Sequence, residues 1–313
     1  MMTVALACRI AATSAEAQVA TKAQAADPLA SIRQAVSLAE HGHCAKALPV
    51  LKRNTRSLPD KQLRYRAAFA SARCAMSLND MAAVADALSL LRRDFPDDPE
   101  VLYVAARYFS QLADRTAREL GERFPNSPQV GRLNAEALES KQMWKEANEA
   151  YRKILAQNPK LPGIHFRIAS ILLDTSSSAE AIAEARKELE AELEINPDSA
   201  AAVFVMGEIA RRIGAWDEAI QHFSRASQLD VGFLEAYLAL GMSLIAAGKY
   251  ADAVAPLERY TKSVPDDPAG HYQLAVAYSR TGNKAAADRE LKLQQEALAK
   301  AGARRPANAR VPQ

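Results

Sequence analysis

No stretch of this 313-residue chain is apolar for long enough to cross a bilayer as a helix, which sets aside a membrane-spanning reading. Charge of one sign is not in excess either. There are 40 basic and 37 acidic residues and a net charge of +3, whereas a nucleic-acid surface needs clustered positive charge. Sustained apolar–polar alternation is missing, so strands are not expected, and abundant Ala, Leu, Glu, Lys and Arg favour helix. Nucleotide-binding and catalytic signatures are missing as well. There is no G-x-x-x-x-G-K-[ST] loop, no G-x-G-x-x-G turn and no G-x-S-x-G elbow, Gly241-Met242-Ser243 being a glycine followed by helix. His41-Gly42-His43-Cys44 has metal-binding residue types, but Gly42 reads as a turn and no second cluster with zinc-ligand spacing follows. No metal, no cofactor, no nucleic acid and no catalysis are expected.

What the chain does contain is a repeat. Trp216, Ala219, Phe223 and Ala226, preceded by Gly207, recur as Tyr250, Ala253, Leu257 and Tyr260, preceded by Gly241. The two glycines are 34 residues apart, the length of a helix–turn–helix repeat. A unit of this kind needs a small residue where its second helix crosses its first, because only Gly, Ala or Ser lets the backbones approach without a gap. The clearest units start near Pro128, Ala200, Leu234 and Pro268; another opens at Pro162, its hairpin lengthened by the polar insert Thr175-Ser176-Ser177-Ser178. Degenerate units start near Pro28, Tyr65 and Pro99, the last with Leu102, Ala106 and Phe109 on its first helix and a shortened second helix. About eight all-α hairpins are expected over 28–299, degenerate in 28–125 and well formed in 128–299.

Local chemistry supports these boundaries. Asp98-Pro99, Ser127-Pro128 and Asp267-Pro268 each set a capping side chain before a proline at the first helical position. Pro96, Pro125, Pro159, Pro197 and Pro265 end second helices, since the residue before proline disfavours helix. The stretch Glu188-Glu190-Glu192-Glu194 reads as a solvated face. His165 and His271 fall at packing positions, and His222 sits on a second helix beside Phe223, so all three read as structural.

These residues resemble the tetratricopeptide repeat family over nearly all of 28–299, most specifically over 200–291. The resemblance implies a right-handed superhelix whose first helices line a concave groove for a peptide or extended protein segment. It points to two positions around the small residue of each first helix. One gives Tyr103, Arg132, Phe166, Phe204, Leu238 and Tyr272; the other includes Arg107, Glu208 and Met242, with Arg211 and Arg280 one turn on. Aromatic residues beside arginine suit partner binding, although aromatic stripes at helical spacing also serve as packing. The positions that would hold asparagine in a carboxylate clamp carry other residues, so chaperone binding is not implied.

The implied role is a non-enzymatic scaffold or adaptor for a protein or peptide, in a bacterial cell envelope. The alternative is a substrate-recruiting or sensor subunit whose catalytic part is another chain. Residues 1–27 do not fit the repeat. Val4-Ala5-Leu6-Ala7 followed by Ala15-Glu16-Ala17 resembles the end of a signal peptide, without its basic flank and with Arg9 interrupting it, so a disordered leader is the other reading. Periplasmic or secreted and cytoplasmic locations thus both stand. Cys44 and Cys74 fall at the same end of neighbouring helices, where they can form a disulfide that would favour export, or stay as buried thiols. From about Lys300 to Gln313, Pro and Arg without apolar periodicity read as a disordered basic tail.

Overall fold

The computed structural model describes residues 28–304, and among them the regular elements are all helical. The leader, Cys8 and the last residues of the tail lie outside the described residues. The chain divides into two compact units, one up to Arg123 and one from Phe124.

In the first unit α1 (Pro28–Glu40) and α2 (Cys44–Asn54) form one hairpin, and α3 (Lys61–Ser77) and α4 (Met81–Asp94) form the next. Ile32, Ala35, Leu51, Ala67, Leu88 and Leu91 are buried between them. Asp60 caps α3 through the amides of Gln62 and Leu63, and Asp80 caps α4 through Ala83. Cys44, at the start of α2, is bonded to Cys74, near the end of α3, with their Cα atoms 4.8 Å apart. The bridge joins positions 30 residues apart in sequence. Closing a loop of that size in the unfolded chain stabilises the fold by about 3–4 kcal/mol.

The third unit departs from the expected pattern. Residues Pro99–Arg123 form one continuous helix, α5, rather than a first helix and a shortened second one. From Gln111 to Thr116 neither glycine nor proline breaks the run, so nothing turns the chain back. With no second helix to pack on, α5 buries only its α4-facing side, Val101 and Ala105, with Tyr108 and Leu112 partly covered. Leu102 and Phe109, expected as repeat positions of a first helix, are 40% and 44% exposed.

The second unit is a run of five hairpins. These are α6 (Pro128–Ser140) with α7 (Trp144–Gln157), α8 (Ile164–Thr175) with α9 (Ala179–Ile195) and α10 (Ala200–Arg212) with α11 (Trp216–Leu229). The last two are α12 (Leu234–Ala246) with α13 (Tyr250–Ser263) and α14 (Pro268–Arg280) with α15 (Lys284–Arg304). Each second helix also packs on the next first helix, and α12 packs on α14. Ser127 and Asp267 cap their helices as expected, and Ser178 and Ser199 do the same for α9 and α10. The C-terminal helix runs to Arg304, past the boundary expected near Lys300. Ala299, Ala301 and Ala303 favour helix, Pro306 stands just beyond, and Lys300 is tied to Asp266 at 2.9 Å.

Six hairpin turns share one device. Gly42, Asn79, Gln142, Gly214, Gly248 and Gly282 all have positive φ, between 58° and 84°. Each follows at a constant offset the small residue at the helix crossing: Ala35, Ala72, Ala135, Gly207, Gly241 and Ala275. The hairpin carrying the Thr175–Ser178 insert has no such residue, since its extra length removes the need for a tight reversal.

Candidate interaction surface

The crossing glycines of the second unit fix how its side chains divide. A Cβ on Gly207 would lie 2.7 Å from Phe223 Cε1, and one on Gly241 would lie 2.4 Å from Leu257 Cγ. Phe223 and Leu257 thus fill the space above the glycines and are fully buried. Met242, next to Gly241 on α12, therefore turns away from that crossing and is exposed, whereas Val203, Ala210 and Leu244, one turn from the glycines, share their inward face.

The predicted site residues stand on both units. Tyr103 and Arg107 are on α5 of the first unit; Tyr103 is 59% exposed, and the Arg107 guanidinium lies 5.4 Å from the Tyr108 ring centroid. On the second unit, Met242 on α12 and Tyr272 on α14 are exposed, with Leu238 one turn before Met242 partly buried against the core. Arg280, two turns beyond Tyr272 on the same face of α14, is exposed and lies over the Tyr250 ring at 5.5 Å. Arg132 on α6 is exposed and donates from Nε to Glu136 at 3.0 Å.

The others are more enclosed. Phe166 packs with Leu172, Leu173 and Ile182 against the core formed by α8, α9 and α10. Phe204 sits between two aromatic rings, its centroid 5.2 Å from Phe223 and 4.7 Å from Phe233. Glu208 and Arg211 hold each other through a 2.7 Å ion pair on α10, and this hydrogen bond pushes the arginine further toward its charged form. The outward face of α12 and α14 therefore combines an apolar thioether, an aromatic ring and a cation. That composition buries well against apolar and acidic side chains.

Along the second unit, polar groups are held by partners that the repeat pattern does not reveal. Glu192, expected on a solvated face, is only 1% exposed. Its carboxylate accepts from Gly163 N at 2.8 Å and from Phe166 N at 3.4 Å, capping α8 from a neighbouring helix. Residues two apart on a helix point in different directions, so Glu190 and Glu194 reach solvent while Glu188 and Glu192 turn inward. Glu188 accepts from Arg152 at 3.2 Å and pairs with His165 Nδ1 at 2.6 Å. His271, 4% exposed, repeats this pairing with Glu290 Oε2 at 2.6 Å and donates from Nε2 to Pro265 O at 3.0 Å. Burial pushes the Tyr151 hydroxyl up to about 12, as do burial and a hydrogen bond to Glu258 for Tyr278.

His41 and His43 are exposed at the first hairpin turn, His41 Nδ1 meeting Ser37 O at 2.7 Å. Among the described residues no group of three or more His, Cys, Asp or Glu side chains could hold a metal ion. No described helix is long and apolar enough to cross a membrane.

The tetratricopeptide repeat family matches residues 210–273 and, through a second family description, 182–230. Small glutamine-rich tetratricopeptide repeat-containing protein 2 of Mycosarcoma maydis is 34% identical over 107 residues, 31% of this chain. The match spans 30% of that relative's length. Among solved structures, the MamA protein aligns with a TM-score of 0.51 at 20% identity, covering 59% of this chain and 98% of that one. Residues 41 to the end of MamA from Desulfovibrio magneticus RS-1 align with a TM-score of 0.50 at 12% identity, over 56% of this chain and 97% of that one. At such identities the likeness is one of fold.

Proposed function

Since this chain is a tetratricopeptide repeat protein, we propose that it is a non-catalytic scaffold that holds a protein segment along the first-helix face of its second unit. One observation carries this reading: Met242, Tyr272 and Arg280 are exposed together on α12 and α14, two helices that pack on each other. Their chemistry selects a segment with apolar and acidic side chains. Phe204 and Leu238 pack beside that face, while Phe166 belongs to the core of α8, α9 and α10. In this reading the unit presents a surface and transforms nothing itself.

The Cys44–Cys74 bond supports placement outside the reducing cytoplasm, in a bacterial periplasm or secreted. Mass spectrometry of non-reduced protein from an exporting host tests this, and full alkylation of both thiols under denaturing conditions would count against it.

The scaffold reading is tested with the double variant Met242→Ala, Tyr272→Ala in the native host. Partners that co-purify with the parent should be lost while the melting temperature stays within a few degrees. Retention of all partners by the folded variant removes this face from the account. Recovery of a single catalytic chain, lost in the variant, would make the scaffold a recruiting subunit.

A further inference from the structure

We infer that the first unit carries a second, separate site, a hollow on α2, α3 and α4 that binds a small aliphatic carboxylate. The hollow has a volume of about 300 Å³, at the lower end of the range for small-molecule sites. Its floor is Leu51, Ala68, Ala83, Ala87 and Leu90, all buried. Short side chains on α3 and α4 are what leave the space open. The walls are fixed in advance, since the Cys44–Cys74 bond holds α2 against α3.

Polar groups single out the ligand's charge. Arg53, in the last turn of α2, and Arg56, in the short 3-10 turn after it, stand on the rim and have no ion pair among the described residues. The third basic rim residue, Lys52, is already paired with Asp80 at 2.8 Å. Asp86, on the α4 side, is the rim's acidic group, so the two free guanidinium groups leave a net positive rim. Two hydroxyls line the hollow. Thr55 spends its own on Leu51 O at 2.7 Å. Ser71 is 5% exposed, lines the hollow and has no hydrogen-bond partner among the described residues. Its hydroxyl is not cut off from solvent, so a ligand in the hollow can accept a hydrogen bond from it.

A carboxylate placed between Arg53 and Arg56 would satisfy both cations, with Ser71 donating from below and an aliphatic body lying on the alanine and leucine floor. A free small molecule and the carboxyl terminus of a peptide share this chemistry. The site lies on a different unit from the proposed interaction face, so the two readings stand or fall separately.

The test uses the full chain and saturation-transfer NMR with N-acetyl-leucine. Its methyl groups should receive saturation, and N-acetyl-leucinamide, which lacks the charge, should bind about tenfold or more weakly. Arg53→Gln with Arg56→Gln should weaken binding by at least that factor with melting unchanged, both side chains being exposed. Asp86→Asn should tighten it. A tripeptide ending in leucine that binds as well as N-acetyl-leucine identifies a chain terminus as the source; one that fails identifies a free small molecule. Equal binding of acid and amide, or full binding by the folded double arginine variant, would overturn the site.

Discussion

Replacing Gly207 with valine probes the helix crossing on which the second unit depends. A Cβ at this position would stand 2.7, 2.8 and 3.0 Å from Cε1, Cδ1 and Cζ of Phe223. The Phe223 ring has no room to retreat, because it is fully buried and Phe204 packs against it at 5.2 Å. Alanine would add this one clash, at about 1–3 kcal/mol for overpacking. Helix propensity returns about 1 kcal/mol, so Gly207→Ala should lose roughly 0–2 kcal/mol. Valine adds two methyl groups against the same ring and restores less propensity. A loss of about 3 kcal/mol follows, and for a unit of this size it lowers the melting temperature by about 6–12 °C. Thermal melts followed by circular dichroism would read the change. A double variant with Phe223→Leu removes the ring atoms involved, so it should recover part of the loss rather than add to it. A Gly207→Val protein that melts with the parent would refute the assigned crossing, and strict additivity with Phe223→Leu would refute the contact.

Gln142 holds a left-handed turn at φ 58° that four other hairpins assign to glycine; Gln142→Gly should stabilise the second unit by about 1 kcal/mol in urea unfolding. Glu192→Ala should cost about 3 kcal/mol, since it strips the buried acceptor from Gly163 N and Phe166 N. Glu192→Gln, which keeps one oxygen, should lose less in the same assay. Burial holds His222 below its ordinary pKa, against the opposing pull of Glu218 at 3.6 Å, with Arg186 and Arg225 adding to the depression. The unfolded chain therefore takes up this proton first as pH falls. Stability should decline from about pH 7 to about pH 5, and His222→Asn should flatten that part of the profile.

The repeat was legible because its signals are local and periodic. Gly207 and Gly241 mark crossings, Gly42, Gly214, Gly248 and Gly282 mark turns, and Ser127 and Asp267 mark caps, each readable from its neighbours. Asn79 and Gln142 were hidden at the equivalent turns, because the turn dictates a conformation that glycine merely adopts most easily. At α5 the spacing of Leu102, Ala106 and Phe109 implied a hairpin, but a helix continues unless something breaks it. The burial of Glu192 is not legible in its own helix, because the amides that donate to its carboxylate belong to Gly163 and Phe166, far off in sequence. The candidate surface shows the same limit. Helical spacing placed Phe204, Met242 and Tyr272 on first helices but could not rank their exposure. That ranking depends on Phe223 and Phe233, whose rings enclose Phe204 while Met242 and Tyr272 stay open.

The central claim, that the first-helix face of the second unit receives the partner, is tested most directly by photo-cross-linking in the native host. A cross-linking residue at position 242 or 272, on that face, is compared with one at position 216 on α11, where Trp216 is also 37% exposed. The account predicts cross-linked partner at 242 and 272 and little at 216. Cross-linking confined to 216, with all three variants folded, would place the partner on the second helices and contradict it.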